Sequence, residues 1–61
     1  MDYRDRLLQE KLQLEEKIEK LEFMVDHPIP EITKRQFELM EIQLSAMNTY
    51  CRILETRLKE E

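Results

Sequence analysis

The sequence predicts an all-α fold: an antiparallel two-helix hairpin that assembles into a homo-oligomeric helical bundle. The first observation is composition, since the 61 residues contain no glycine and are rich in helix-forming Glu, Lys, Leu, Arg and Gln. The second is a single proline-bounded break at Asp26–Pro30 between two long segments. The third is an apolar periodicity of three and four residues on both sides of this break.

Local signals place the two helices within one domain. The expected parts of the domain 1–61 are helix 1 at about 2–25, a turn at 26–32 and helix 2 at about 33–59. Asp2 and Asp5 put carboxylates in the first turn of helix 1, where they suit the helix dipole. Thr33–Gln36 has the pattern of a capping box. Because the break is short, the helices are expected to lie antiparallel, with His27 as the helix stop.

Each helix has one apolar seam that a hairpin can bury. The seam of helix 1 spans about 60° of arc and consists of Tyr3, Leu7, Leu14, Ile18, Leu21 and Val25. The seam of helix 2 follows heptad spacing and consists of Phe37, Met40, Leu44, Met47, Cys51, Leu54 and Leu58. Cys51 is accordingly expected to be a small core residue.

Both helices also carry a second apolar face, which two helices alone leave uncovered. Its members are Leu8, Leu12 and Phe23 on helix 1, and Leu39, Ile42, Ala46, Tyr50 and Ile53 on helix 2. A chain of this size buries only about 60% of its surface, and its single cysteine allows no intrachain disulfide. We therefore expect this face to be the interface of a homo-oligomer. The alternative is that these are scattered surface residues of no consequence.

Composition and charge argue against several functions. The absence of glycine excludes phosphate-binding loops, dinucleotide-binding turns and EF-hands. One histidine and one cysteine cannot fill a tetrahedral zinc site from one chain, and no nucleophile stands beside a base. We expect no metal, no cofactor and no catalytic residue, and therefore not an enzyme.

The same composition limits partners and location. A net charge of −4 disfavours duplex nucleic acid as a partner. No apolar run approaches about 18 residues and no signal peptide is visible, so no membrane partner is expected. A free cysteine suits the reducing cytoplasm.

A polar line with a spacing of seven residues runs down helix 2 beside the apolar face: Gln36, Gln43, Tyr50 and Arg57. One interpretation is that the line pairs across an interface and sets its register. The other is that oligomerisation builds a pocket there. In that pocket Arg57 would hold a phosphate or carboxylate, Tyr50 would contact a base and Gln43 would read its edge.

The start of helix 1 is the second candidate site. An antiparallel hairpin brings Tyr3, Arg4 and Arg6 near Arg57, which makes an anion and base site in an otherwise acidic protein. The alternative is a set of solvated arginines that pair with nearby acids, namely Asp2, Asp5, Glu60 and Glu61.

The order of residues on both helices resembles a family of small phage and prophage helical hairpins, related to a crAss-like phage protein. The sharpest part is Gln-Leu-x-Ala-Met-x-x-Tyr-x-x-Ile-Leu-x-x-Arg-Leu at 43–58. In size, hairpin architecture and an oligomerising helix, the chain also resembles phage sponge proteins that counter CBASS and Thoeris immunity. This second resemblance implies capture of cyclic nucleotide signals between subunits.

These observations predict a counter-defence sponge in the host cytoplasm. It would bind a cyclic oligonucleotide or an ADP-ribose-type signal in pockets between subunits, without catalysis. The alternative is a protein–protein interaction module that docks a host or phage protein through its apolar face.

Overall fold

A computed structural model describes residues 2–60, which form two α-helices and no strand: α1 at Tyr3–Asp26 and α2 at Lys34–Lys59. The helices pack against each other antiparallel, in a hairpin 44 Å long and 16 × 14 Å across. Met1 and Glu61 belong to the predicted domain but lie outside the described residues. The helical class agrees with the prediction and a hairpin fits it, whereas the homo-oligomer stays a prediction.

Both helices begin at a side-chain cap. Asp2 accepts a hydrogen bond of 2.8 Å from the Asp5 amide, and Thr33 accepts one of 3.1 Å from the Gln36 amide. Asp2 and Thr33 have extended backbone, so each helix starts one residue after its expected beginning. These bonds satisfy amide groups that have no partner inside the helix.

The break between the helices is closed by local bonds. His27 caps α1, and its amide donates to the Phe23 carbonyl at 2.9 Å. The rings of these two residues stack with their centroids 4.4 Å apart. The Ile32 amide then donates to the Ile29 carbonyl at 3.1 Å and turns the chain toward α2. This agrees with the role expected for His27.

The core lies along the two predicted seams. Its buried members are Leu7, Leu14, Ile18, Cys51 and Leu54. All seven residues of the α2 seam are buried or half-buried. Tyr3 departs from the expected α1 seam, because it stands at the open end of the hairpin and is 50% exposed.

Lys11 occupies the gap that the apolar pattern leaves in the α1 seam. Its side chain is 20% exposed, and its Nζ donates to Glu15 Oε2 at 3.0 Å. This hydrogen bond raises the pKa of Lys11, and the charges of Glu15 and Glu55 act in the same direction. Within α2, Cys51 Sγ donates to Glu55 Oε1 at 3.8 Å. A polar layer therefore borders the core at mid-length.

The second apolar face is uncovered in this chain. We call its α1 part the α1 patch (Leu8, Leu12 and Phe23) and its α2 part the α2 stripe (Leu39, Ile42, Ala46, Tyr50 and Ile53). Ala46 is exposed, and the other members of both are 41–64% exposed.

The α1 patch and the α2 stripe point to opposite sides of the hairpin. At about 100° per residue, Leu8 and Leu12 lie on the flank of α1 that also carries Glu15, and Glu15 lines a groove with Asn48 of α2. The α2 stripe lies on the flank that carries Arg57, which meets α1 across the other groove. One flat contact surface cannot cover both.

Candidate functional site

A cleft of about 350 Å³ lies where α1 begins and α2 ends. We call it the end cleft, and its lining residues are Tyr3, Arg6, Leu7, Glu10 and Arg57. The residues come from opposite ends of the sequence because antiparallel packing brings the two chain ends together. Leu7 forms the buried floor, and the other four side chains are exposed at the rim.

Arg57 is held in place by Tyr3. One guanidinium nitrogen, Nη2, donates to the Tyr3 hydroxyl, and Cζ lies 5.4 Å from the centre of the tyrosine ring. A guanidinium has five N–H donors in a planar fork. The contact with Tyr3 therefore orients the group and leaves other donors to meet an anion.

Arg57 belongs to two surfaces at once. Besides the end cleft, it lines a depression on α2 together with Ile53 and Thr56. Ile53 is the last member of the α2 stripe. The cationic end cleft and the uncovered stripe are therefore continuous through one side chain.

Arg4 has a structural contact at the same end. Its Nη1 donates to the Leu58 carbonyl at 2.8 Å. That carbonyl is in the last turn of α2, where no following amide completes the helical pattern. Arg4 thus caps the end of α2 and is absent from the lining of the end cleft.

The charge balance of the end cleft is cationic. Arg6 and Arg57 face one lining carboxylate, Glu10, and Glu60 borders the neighbouring depression beside Thr56. Between residues 2 and 60, the two ion pairs join Lys11 to Glu15 and Arg35 to Glu38, so neither uses the arginines at this end. Of the acids expected to pair with those arginines, Glu61 lies outside the described residues. Two guanidinium groups beside a tyrosine suit a small anion attached to a ring.

Gln43 and Tyr50 lie apart from the end cleft within one chain. Along α2 they are about 21 Å and 10 Å from Arg57, at 1.5 Å per residue. Both are exposed at the edge of the α2 stripe. The structure therefore brings Tyr3, Arg6 and Arg57 together and leaves these two residues exposed on α2, away from the end cleft.

Glu10 and Thr56 border the site, although the sequence did not single them out. Glu10 lies seven residues after Tyr3, so the same heptad spacing that revealed the polar line of α2 was a signal for it. Thr56 precedes Arg57 and donates its hydroxyl to the Arg52 carbonyl at 2.9 Å. It has no comparable sequence signal.

The Cys51 thiol lies outside the end cleft. Burial raises the pKa of the Cys51 thiol, and the nearby Glu55 charge acts in the same direction, so the thiol is neutral near pH 7. In the described part of the chain, no three His, Cys, Asp or Glu residues are grouped to hold a metal ion. Across residues 2–60, neither helix combines the length and apolar content needed to cross a bilayer.

The fold and the end cleft define a small all-helical hairpin protein with a cationic site at one end. The chain matches the family model named Sequestin over residues 1–60, and it belongs to the Sequestin family. It matches no curated protein and no solved structure. The family name points to sequestration of a ligand, which agrees with the predicted sponge role at that coarse level.

Membership of this family fits the resemblance to small phage anti-defence sponge proteins. The grouping with crAss-like phage proteins, the cytoplasmic location and the absence of enzymatic activity stay predictions.

Proposed function

We propose that this protein is a phage-encoded counter-defence sponge that sequesters a cyclic nucleotide or ADP-ribose-type immune signal without altering it. The observation that carries the proposal is the position of Arg57, which joins the cationic end cleft to the uncovered α2 stripe. A signal held there lies at the border where a second copy would pack. Its pocket is then shared between subunits.

The chemistry of the end cleft fits a phosphorylated nucleoside. Arg57, oriented by the Tyr3 hydroxyl, presents its remaining donors to phosphate oxygens, and Arg6 adds a second guanidinium. The exposed ring of Tyr3 offers a face for a base. Glu10 at the rim can accept from a ribose hydroxyl or an exocyclic amine.

Sequestration requires affinity and abundance rather than reactivity. Among the described residues that line the end cleft and the depression beside it, the titratable groups are arginine, tyrosine and carboxylate, and no nucleophile stands beside a base. Capture then lowers the free signal by mass action, provided that binding sites exceed signal molecules. A dissociation constant near 1 nM corresponds to about −12 kcal/mol.

Isothermal calorimetry against cyclic di- and trinucleotides and cyclic ADP-ribose-type compounds tests this proposal. We expect one compound class to bind, and Arg57→Gln to weaken it by at least about tenfold, which is about 1.4 kcal/mol. Lys20→Gln is the matched control, since it removes the same charge from an exposed position outside the end cleft.

Two results would overturn the sponge. One is the absence of binding by every member of the panel at a tenfold molar excess. The other is recovery of a chemically changed compound after the protein is denatured, because a sponge must release its ligand intact. Equal loss of affinity in the Lys20→Gln control would show a general charge effect instead of a site.

The uncovered α2 stripe favours a second candidate, an interaction module that docks another protein. Light scattering separates the two functions. A monomer whose stripe stays exposed in solution supports the module, whereas self-association supports the sponge.

A further inference from the structure

The α2 stripe and the two arginines at its ends form a palindromic pattern. The residues Arg35, Leu39, Ile42, Ala46, Tyr50, Ile53 and Arg57 are separated by four, three, four, four, three and four positions. At about 100° per residue, all seven lie within an arc of about 80° on α2. The pattern is symmetric about Ala46.

Such symmetry is what an isologous contact needs. Around a twofold axis, residue i of one copy meets residue j of the other while j meets i. If two copies of α2 pack antiparallel with Ala46 on the axis, Leu39 meets Ile53 of the second copy and Ile42 meets its Tyr50. The small side chain of Ala46 lets the helices approach closely at the crossing point.

The chain exposes more surface than a compact protein of its mass. The chain exposes 5054 Å², whereas a folded protein of 7.6 kDa exposes about 4,300 Å². The excess of about 750 Å² belongs to the whole elongated hairpin, α1 patch and α2 stripe together, and a standard interface takes roughly 800 Å² from each partner.

The same register brings Arg35 of one copy next to Arg57 of the other. Arg35 is available for this role, since its side chain is 75% exposed and its ion pair with Glu38 spans 3.9 Å. The position of Arg35 is also electrostatically unfavourable for the helix. The first turn of α2 contains Lys34 and Arg35 and no acidic residue, although cations disfavour the positive end of the helix dipole. A residue that breaks a local rule often has a function.

We propose that two copies pair antiparallel through the α2 stripe, and that Arg35 of each copy completes the end cleft of the other. Each composite site then has three guanidinium groups, from Arg6, Arg57 and the second copy's Arg35, beside Tyr3. It takes a ligand with at least two negative charges, such as a diphosphate or two phosphodiesters. This inference rests on the proposed sponge function, which requires assembly. It adds to that function the minimum charge of the ligand.

The same arrangement gives a role to the remaining residues of the polar line of α2. Tyr50 lies within the interface opposite Ile42 of the second copy, and Gln43 lies beside it. Both residues then set the register of the contact and do not touch the ligand. The three arginines repel one another until an anion binds, so the ligand strengthens the dimer.

Disulfide trapping in a Cys51→Ala background tests the geometry. Equal amounts of Leu39→Cys and Ile53→Cys chains are expected to cross-link when mixed and oxidised. Neither variant is expected to cross-link alone, because identical positions lie about 21 Å apart along the axis. Cross-linking of either variant alone indicates parallel packing and overturns the proposal, as does failure of the mixture to cross-link. Circular dichroism checks that the variants fold.

Inorganic pyrophosphate tests the composite site. Its affinity is expected to fall about tenfold in Arg35→Gln, which is about 1.4 kcal/mol, and to stay unchanged in Lys34→Gln. Lys34→Gln is the matched control, since Lys34 lies on the polar side of α2, about 120° around the helix from the centre of the α2 stripe. At equal ionic strength, pyrophosphate should also raise the dimer fraction above that in sodium chloride. An Arg35→Gln variant that binds like the parent overturns the shared site.

The two proposals fail in different ways. If pyrophosphate and the mixed cross-link behave as expected while every nucleotide fails to bind, the sponge is wrong and the composite anion site stands. If nucleotides bind while the mixture does not cross-link, the shared site is wrong.

Discussion

Single side chains in the hairpin show how strongly position decides chemistry. Cys51 and Arg57 are six residues apart on the same helix. Cys51 points into the seam, where burial raises its pKa, whereas Arg57 points to the rim and keeps donors for an anion. Six residues correspond to a rotation of about 240° around the helix. The two side chains therefore lie on different faces of α2, Cys51 in the core and Arg57 at the end cleft.

The Cys51 thiol is expected to react slowly with iodoacetamide near pH 8, about tenfold more slowly than in urea-unfolded chain, because burial keeps it protonated and shielded. Its folded-state pKa is raised above the unfolded value. The associated stability is therefore complete below about pH 8.5 and is lost as the pH rises through the folded pKa. Labelling followed by mass spectrometry measures the rates, and equal rates in both states would refute this prediction.

Leu54 is the most buried side chain in the core, at 0% exposure. Leu54→Ala is expected to lower the free energy of unfolding by about 2–5 kcal/mol, because it removes buried methyl groups and leaves a cavity. Urea titration followed by circular dichroism measures the loss. Ile29→Ala, at an exposed position in the turn, is the control and should stay within about 0.5 kcal/mol of the parent. A similar loss in both variants would mean that burial in the hairpin does not set stability.

At the scale of the helices, end chemistry and apolar periodicity act together. Caps at Asp2 and Thr33 start the helices, and the His27 cap and the prolines end α1. The seams then orient each helix toward the other. All of these signals are local, which is why they could be predicted from the sequence within about one residue.

Thr33→Ala is expected to lower stability by about 1 kcal/mol, since the Gln36 amide loses its acceptor. Thr49→Ala is a matched control. It removes a mid-helix hydroxyl that donates to the Ser45 carbonyl at 3.1 Å, and alanine is the better helix former, so it should be neutral or slightly stabilising. Thermal melts of both variants measure the difference. Equal destabilisation would rule out the cap as the cause.

At the scale of the whole molecule, the hairpin leaves apolar surface exposed on both helices. The α1 patch and the α2 stripe face opposite directions, so each requires its own contact. The proposed pairing through the α2 stripe would make a dimer, and pairing through the α1 patch would extend it to a tetramer or a longer assembly.

The melting temperature is therefore expected to rise with protein concentration, because association stabilises the folded chain. Ile42→Glu should reduce this dependence, since it puts a charge into the proposed α2 contact. Calorimetric scans over a hundredfold range of concentration measure it, with mass from light scattering at each point. A parent protein whose melting temperature is constant over that range would contradict assembly.

The helical class, the break, both buried seams and the existence of an uncovered apolar face could all be predicted from the amino-acid sequence. Each depends on spacing along the chain or on the chemistry of a few neighbouring residues. The sequence also placed Tyr3 and Arg6 near Arg57, because an antiparallel hairpin allows only one pairing of ends.

The exact composition of the end cleft and the relation between the two apolar faces came from the folded structure. It showed that Arg4 caps the end of α2 and that Glu10 lines the end cleft. It separated Gln43 and Tyr50 from that cleft within one chain, and it put the two apolar faces on opposite sides. These outcomes depend on the rotation and stagger of one helix against the other, and interhelical packing sets both.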